Sequence, residues 1–207
     1  KDSFFAALLF SIVLVLLIAI GLLSVISQSY GLGIPVFWSV ILFAGVLLVR
    51  SLFEYELTES RIIGVLLSPV SHLLVFYSKV TALFLVLCFV QIIVFPLCIF
   101  FFALEPFRNS VILPFAFLLI GNYGFCYIST LFQFLLFRGG NRPFLLTIIV
   151  YQLLFPLFIS VISGMYQIIL PVYDPATVKF WLQFGLIYDM CFTLVGGWIF
   201  ELLLEGE

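Results

Sequence analysis

Long runs of apolar residues, broken by short polar intervals, organise this chain from end to end. A helix crossing the hydrocarbon core of a bilayer takes about 20 apolar residues, and six runs meet that length. The pattern predicts spans over residues 4–26, 35–49 (extending towards 53), 79–103, 111–137, 143–170 and 178–204. The intervals between them are a Gly-containing turn at 27–34, the long stretch 50–78, a loop at 104–110 with Glu105 and Arg108, the loop RGGNR at 138–142, and a turn at 171–177 with Pro171 and Pro175. The first run is longer than the roughly 7–15 apolar residues of a signal-peptide core, so it reads as a span. Pro96, Pro114 and Pro156 fall within spans. Each removes a backbone hydrogen bond and predicts a kink. No internal repeat is visible.

The interval 50–78 differs from the other loops. It opens on the acidic residues Glu54, Glu56 and Glu59, passes through the apolar run IIGVLL at 62–67, and is halted by Pro69. Six apolar residues cannot cross a bilayer. The segment is expected to form a short helix on the inner surface, its apolar side against headgroups, the protein's own spans or a partner.

Composition narrows the function classes. Of 207 residues, 65% are hydrophobic and 9% charged, and mean hydropathy is +1.37. A soluble domain carries about 25% charged residues, so disorder is excluded and the chain is a poor candidate for a soluble enzyme. The loops are too short for a second domain, and residues 1–207 read as one all-α membrane domain. A chain starting at Lys1 rather than Met is expected to have been processed or to lack a leading piece. The net charge of −2 and the lack of a basic tract argue against a nucleic-acid partner. With the N-terminus inside, Lys1, Arg50, Arg61, Lys79, Arg138 and Arg142 fall on the inner side, and Arg108 and Lys179 on the outer. The positive-inside bias then predicts both termini in the cytoplasm.

Several chemistries have no residues to carry them. There is no G-x-x-x-x-G-K-[ST] phosphate loop, no C-x-x-C-H and no H-E-x-x-H, and His72 is the single histidine. The chain is therefore expected to have no catalytic residues, metal site or bound cofactor of its own. Cys88, Cys98, Cys126 and Cys191 all sit in apolar runs and read as packed small side chains. The 27 phenylalanines are too many to mark a site, and no outer-half histidine offers an axial ligand for haem.

Polar residues within the spans stand out. Asp189 lies near the middle of span six, where a carboxylate must face the bundle, find a partner or be protonated. Two readings stay open: structural pairing, or a part in conformational change or partner contact. Lys179 is ten residues away, about 15 Å along the helix, too far to pair with it. Gln91, Asn122, Tyr123, Gln133, Tyr151 and Gln152 are expected mostly to hydrogen-bond between helices.

The stretch ELTESRIIGVLLSPV, followed by SKV and an apolar helix ending FPLCIFFF, resembles the CcmB family, the haem-exporter protein B permease of cytochrome c maturation. Glu56, Leu66, Leu67, Pro69 and Lys79 fall in register with that family's acidic stretch, L-L-x-P turn and lysine opening span three. Arg138, Gly139, Gly140 and Pro156 match a later loop and span, and Asp189 with the FELLLEGE tail matches the end. Ile63 stands where many members have glutamate. The resemblance covers nearly the whole chain, in order.

It implies a six-helix permease of the ABC-2 exporter type. Glu54, Glu56, Glu59, Ile62, Leu66, Leu67 and Pro69 would form the coupling segment that docks into a separate ATPase. Arg138, Gly139, Gly140 and Arg142 would form a second cytoplasmic contact or a positive-inside anchor. Implied partners are an ABC ATPase in two copies, a haem-handling membrane protein, a small single-span membrane protein and a haem chaperone, in a bacterial inner membrane. ATP would sit in the ATPase and haem in partner proteins. The implied task is release of haem-loaded chaperone at the outer face. Two rivals remain: an exporter permease for a lipid, glycan or drug, and a membrane scaffold with no ATPase.

Overall fold

A computed structural model describes residues 2–22, 31–54, 72–105, 109–139 and 143–205. Among the described residues, six α-helices make up the fold: α1 Asp2–Gly21, α2 Gly33–Glu54, α3 His72–Phe102, α4 Ile112–Gly139, α5 Pro143–Ile169 and α6 Pro175–Glu205. Each contains a stretch long and apolar enough to cross a membrane. In lipid every backbone polar group must be satisfied within its own segment, and a helix does that.

The helices run up and down. Gly31, Gly33, Leu104, Asn109 and the end of α5 gather at one end of the bundle. Gly33 packs so closely on Phe102 and Leu104 that an added Cβ would lie 2.7 Å from each. Gly31 has a φ of +84° and lies against the Tyr166 ring. Helix α3 closes in a left-handed turn, with Ala103 at φ +47° and the Leu104 N–H donating to the Ile99 carbonyl at 3.1 Å. That is the Schellman arrangement. The Asn109 amide donates to the Ile168 and Leu170 carbonyls, at 2.6 and 3.2 Å, and so covers the orphan carbonyls at the end of α5.

Helix α4 is the hub. It packs against α2, α3, α5 and α6, while α1 lies against α2 and α3. Close approaches on α4 are made at glycine: Gly121 receives the Trp38 ring from α2, and Gly124 lies under groups from α5 and α6. On α5, Gly164 receives the Phe117 ring of α4. Without a hydrophobic drive between helices in lipid, such close backbone approach is what makes association favourable. Trp38 also donates its indole N–H to Met165 Sδ at 3.3 Å. Helix α6, in contrast, is the least buried of the six spans and rests only on α4 and α5 among the principal helix contacts.

Several boundaries differ from those the hydropathy pattern predicts. Helix α3 starts at His72, so Lys79 lies two turns inside it instead of opening it. A helix needs internal backbone bonds, not apolar side chains, and the polar residues of its first turns can sit beyond the hydrocarbon. Glu54, expected in the inner-surface interval, is the last residue of α2. Helix α6 starts at Pro175, inside the predicted turn. Proline at the first helical position lacks only an N–H that would be unbonded anyway. Asp174 caps it, accepting from the Ala176 N–H at 3.0 Å, the Thr177 N–H at 3.3 Å and the Thr177 hydroxyl. Pro114 occupies the first turn of α4, so it removes no helical bond and gives no cause for a kink; Pro96 and Pro156 lie inside helices that continue through them.

Candidate functional site

Three consecutive residues at the centre of α4 face three different neighbours. Asn122, Tyr123 and Gly124 are successive steps of about 100° around the helix. The first meets α3, the second α6, and the third lies beneath both α5 and α6.

Towards α3, Asn122 and Gln91 exchange two hydrogen bonds. The Gln91 amide donates to Asn122 Oδ1 at 2.8 Å, and the Asn122 amide donates to Gln91 Oε1 at 2.9 Å. Asn122 also reaches Cys88 Sγ at 3.4 Å. Both amide side chains are buried, and the reciprocal pair accounts for the acceptors and half of the donors. Interhelical hydrogen bonds in membranes average about 0.6 kcal/mol each.

Towards α6, the Tyr123 hydroxyl lies 3.1 Å from Thr193 Oγ1, the Thr193 hydroxyl donates to the Asp189 carbonyl at 2.7 Å, and the Tyr127 hydroxyl donates to the Thr193 carbonyl at 3.0 Å. Thr193 has one hydroxyl proton and spends it on its own helix. Tyr123 must therefore be the donor in the Tyr123–Thr193 bond. Two tyrosines one turn apart on α4 thus hold a single turn of α6. The α5 side is held by Ser160, which donates to the Trp181 carbonyl at 2.7 Å, and by Tyr188, which donates to the Leu153 carbonyl.

At the third position Gly124 leaves room for Asp189. A Cβ there would overlap Asp189 Oδ1 and come within 2.6 Å of Leu157 Cδ2. Asp189 is only 5% exposed, and its Oδ1 is shielded from solvent without any hydrogen-bond partner. A charge at the centre of a span costs about 2.5–3.5 kcal/mol on insertion scales, and among the described residues no hydrogen bond to Oδ1 offsets it. Asp189 also contributes to the wall of a groove of about 430 Å³ between α4 and α6, otherwise apolar apart from Tyr123 and Thr193.

The two helices run parallel in a fixed register. Ile120 meets Gly185, Gly124 meets Asp189, and Leu131 meets Gly196. Gly185, Asp189, Thr193 and Gly196 therefore form one stripe of α6, a small-residue face with a carboxylate in the middle. Hydropathy hides it, because Thr and Gly barely interrupt an apolar run. The spacing of 185, 189, 193 and 196, matched by Tyr123 and Tyr127, is the signal that could have revealed it.

Of the intramembrane residues singled out from the sequence, Gln91 and Asp189 are both buried, but they lie on different sides of α4 and do not form one site. Asn122 and Tyr123 bond between helices as expected. Tyr151 and Gln152 instead lie on the outward face of α5. Among the cysteines, Cys98 and Cys126 are buried, Cys88 is half-buried beside Asn122, and Cys191 is exposed on α6. Glu56, Glu59, Ile62, Leu66, Leu67 and Pro69 lie outside the described residues, as do Gly140 and Arg142. Arg138 and Gly139 belong to the last turn of α4. Among the described residues, no group of three or more His, Cys, Asp or Glu comes together as a metal set.

The family model for CcmB, described as CcmB protein, matches residues 1–191. That family is the membrane permease of an ABC haem exporter in cytochrome c maturation, and it works with an ATPase partner. No curated protein and no solved structure matches the chain.

Proposed function

The chain belongs to the CcmB family, and on that premise we propose that it is the permease subunit that couples ATP hydrolysis in a separate ATPase to haem handling, or to release of a haem-loaded chaperone, at the outer face of a bacterial inner membrane. The observation that carries this reading is the match along residues 1–191, laid over six helices of membrane-crossing length. Both termini lie in the cytoplasm, following the excess of basic residues at that end.

ATP is bound by two copies of the ATPase. Haem is cargo, held by a haem-handling membrane protein and its chaperone, with a small single-span protein completing the complex. The coupling contact is made by Glu56, Glu59, Ile62, Leu66, Leu67 and Pro69, with Glu54 at the end of α2 beside them. The 62–67 run then has a protein groove to bury its apolar side. Arg138, Gly139, Gly140 and Arg142 supply a second contact on the same side. A movement of residues 55–71 reaches α2 and α3 directly. The Gln91–Asn122 pair ties α3 to α4, and the Tyr123/Tyr127 clamp ties α4 to α6. The movement is thereby carried across the bundle as a shift of packed helices.

Co-purification in mild detergent, with mass spectrometry of the accompanying proteins, tests this reading against Leu66→Asp. Wild type is expected to bring the ATPase and haem-handling proteins, and Leu66→Asp to lose at least about ten-fold of the ATPase. An ATPase without haem proteins points to an exporter of lipid, glycan or drug. If well-expressed wild type brings no ATPase, the chain is a scaffold and the proposal fails.

A further inference from the structure

Helix α5 changes character at Pro156. On the N-terminal side, none of residues 148–153 is buried, and Tyr151 and Gln152 face outward. On the C-terminal side, Leu157, Val161 and Ile168 are enclosed by the bundle. That second half is also fastened to its neighbours. Gly164 receives the Phe117 ring, Met165 Sδ accepts from the Trp38 indole, and the Ile168 and Leu170 carbonyls accept from Asn109.

The proline weakens the backbone ladder between the two halves. Lacking an N–H, Pro156 leaves the Gln152 carbonyl without its helical donor, and the ring crowds that carbonyl. The next carbonyl, of Leu153, accepts from the Tyr188 hydroxyl of α6. Beyond the break, the Ser160 hydroxyl donates to the Trp181 carbonyl at 2.7 Å. Helix α6 is therefore tied to α5 on both sides of Pro156. The two ties share one antiparallel register, in which Gly185 of α6 stands level with Pro156. A Cβ added at Gly185 would lie 3.0 Å from Ser160 Oγ. A proline and a glycine, the residue types that most readily permit a bend, thus sit at one height in adjacent helices. Helix α6 is the least buried of the six spans and offers the least packing against such a bend.

We propose that residues 143–155 of α5 act as a lever hinged at Pro156, and that Tyr188 is the positioning residue that passes the swing of this lever to α6. The inference deepens the permease reading and rests on it, because the lever begins directly after 138–142, the loop given there a second contact with the ATPase. A push on that loop swings the loosely packed half of α5, while the half locked against α2 and α4 stays in place. Leu153 travels with the lever and draws on Tyr188; Trp181 stays with Ser160, and α6 bends at Gly185 between them.

The test uses the full chain, assembled with the other subunits of its complex in lipid nanodiscs. Spin-labelled unnatural amino acids, which leave the native cysteines untouched, are placed at Ile148 on the lever, Ile159 on the fixed half or Met190 on α6. Each is paired with a label at Leu85 on α3, and all four positions are exposed. Pulsed electron paramagnetic resonance distances are compared without nucleotide and with ATP trapped by vanadate. Ile148 lies about 12 Å along the helix from Pro156, so a change in bend of about 20° shifts it by about 4 Å. A shift of that size is expected at Ile148, with a shift at Met190 in the same state and none at Ile159. Tyr188→Phe is expected to keep the Ile148 shift and abolish the one at Met190, with ATPase recovery unchanged; a tyrosine that only packs would leave both. Pro156→Ala is expected to abolish both shifts, and the wild-type and Tyr188→Phe distances do not depend on how that variant folds. A still Ile148 in wild type, Ile148 and Ile159 moving together, or Met190 moving in Tyr188→Phe as in wild type overturns the proposal. If the ATPase is recovered and hydrolyses ATP while Ile148 stays still, the lever falls and the permease reading stands; if well-expressed chain recovers no ATPase, both fall.

Discussion

Across the α3–α4 interface, Gln91 and Asn122 exchange two hydrogen bonds; across the α4–α6 interface, Asp189 keeps an oxygen that no described residue bonds. Both groups are buried near the middle of their spans, and both lean on the same short segment of α4. The amide pair is self-contained: each side chain brings a donor and an acceptor, so two residues close the account between them. The carboxylate brings only acceptors when ionised, and the hydroxyl protons near it are used to fasten Thr193. The first site therefore holds helices together, while the second leaves one buried acceptor without a donor among the described residues. Burial alone does not separate a satisfied polar group from an unsatisfied one. The census of donors does.

Gly124→Val should break the comparison most severely. Its side chain must displace either Asp189 or Leu157, and overpacking of this kind costs about 3 kcal/mol. Thermal unfolding in detergent should show a large drop, partly recovered by the double variant Gly124→Val/Asp189→Ala. A variant as stable as wild type would show that α4 and α6 do not approach as described.

Asn122→Leu should come next, at about 2 kcal/mol, because it strands the Gln91 amide in an apolar interior. The double variant Gln91→Leu/Asn122→Leu should be more stable than the single one, since replacing both partners removes the stranded group. A double variant that is worse by the full sum of the two singles would contradict the pairing.

The smallest effect belongs to Asp174, a carboxylate on the same chain segment as α6 but in the opposite situation. The Thr177 hydroxyl, followed by the Ala176 N–H, holds its pKa below the ordinary aspartate value of 3.8. A depressed folded-state pKa means that its contribution is present above the unfolded value and is lost as pH falls through the folded one. The melting temperature of wild type should therefore exceed that of Asp174→Asn by a small margin at pH 6. The margin should shrink towards zero as pH falls below the aspartate range. A margin constant with pH would remove the charge from the cap.

How much of this was readable beforehand varies by residue. Six spans were legible because lipid demands about 20 apolar residues per crossing, and that demand is written directly into composition. The start of α3 at His72 was not, because the rule reports where a helix meets lipid and says nothing of turns that extend past it. Asn122 and Tyr123 stood out as polar letters in apolar runs. Gly124, Thr193 and Gly196 did not, because their importance lies in what they leave room for or hold.

The membrane class, the six crossings, the family resemblance and the anomaly of a carboxylate at position 189 are all written in the order of the residues. A one-dimensional pattern can carry these because each depends on a residue's preference for water or lipid, or on an ordered set of motifs. Which polar groups meet is settled by the packing of the helices. Pairing depends on the rotation and register of neighbouring helices, set by close contacts such as Gly124 with Asp189 and Gly185 with Ile120. A shift of one residue turns a side chain by about 100°, so the same letters could have buried a pair or left both without one.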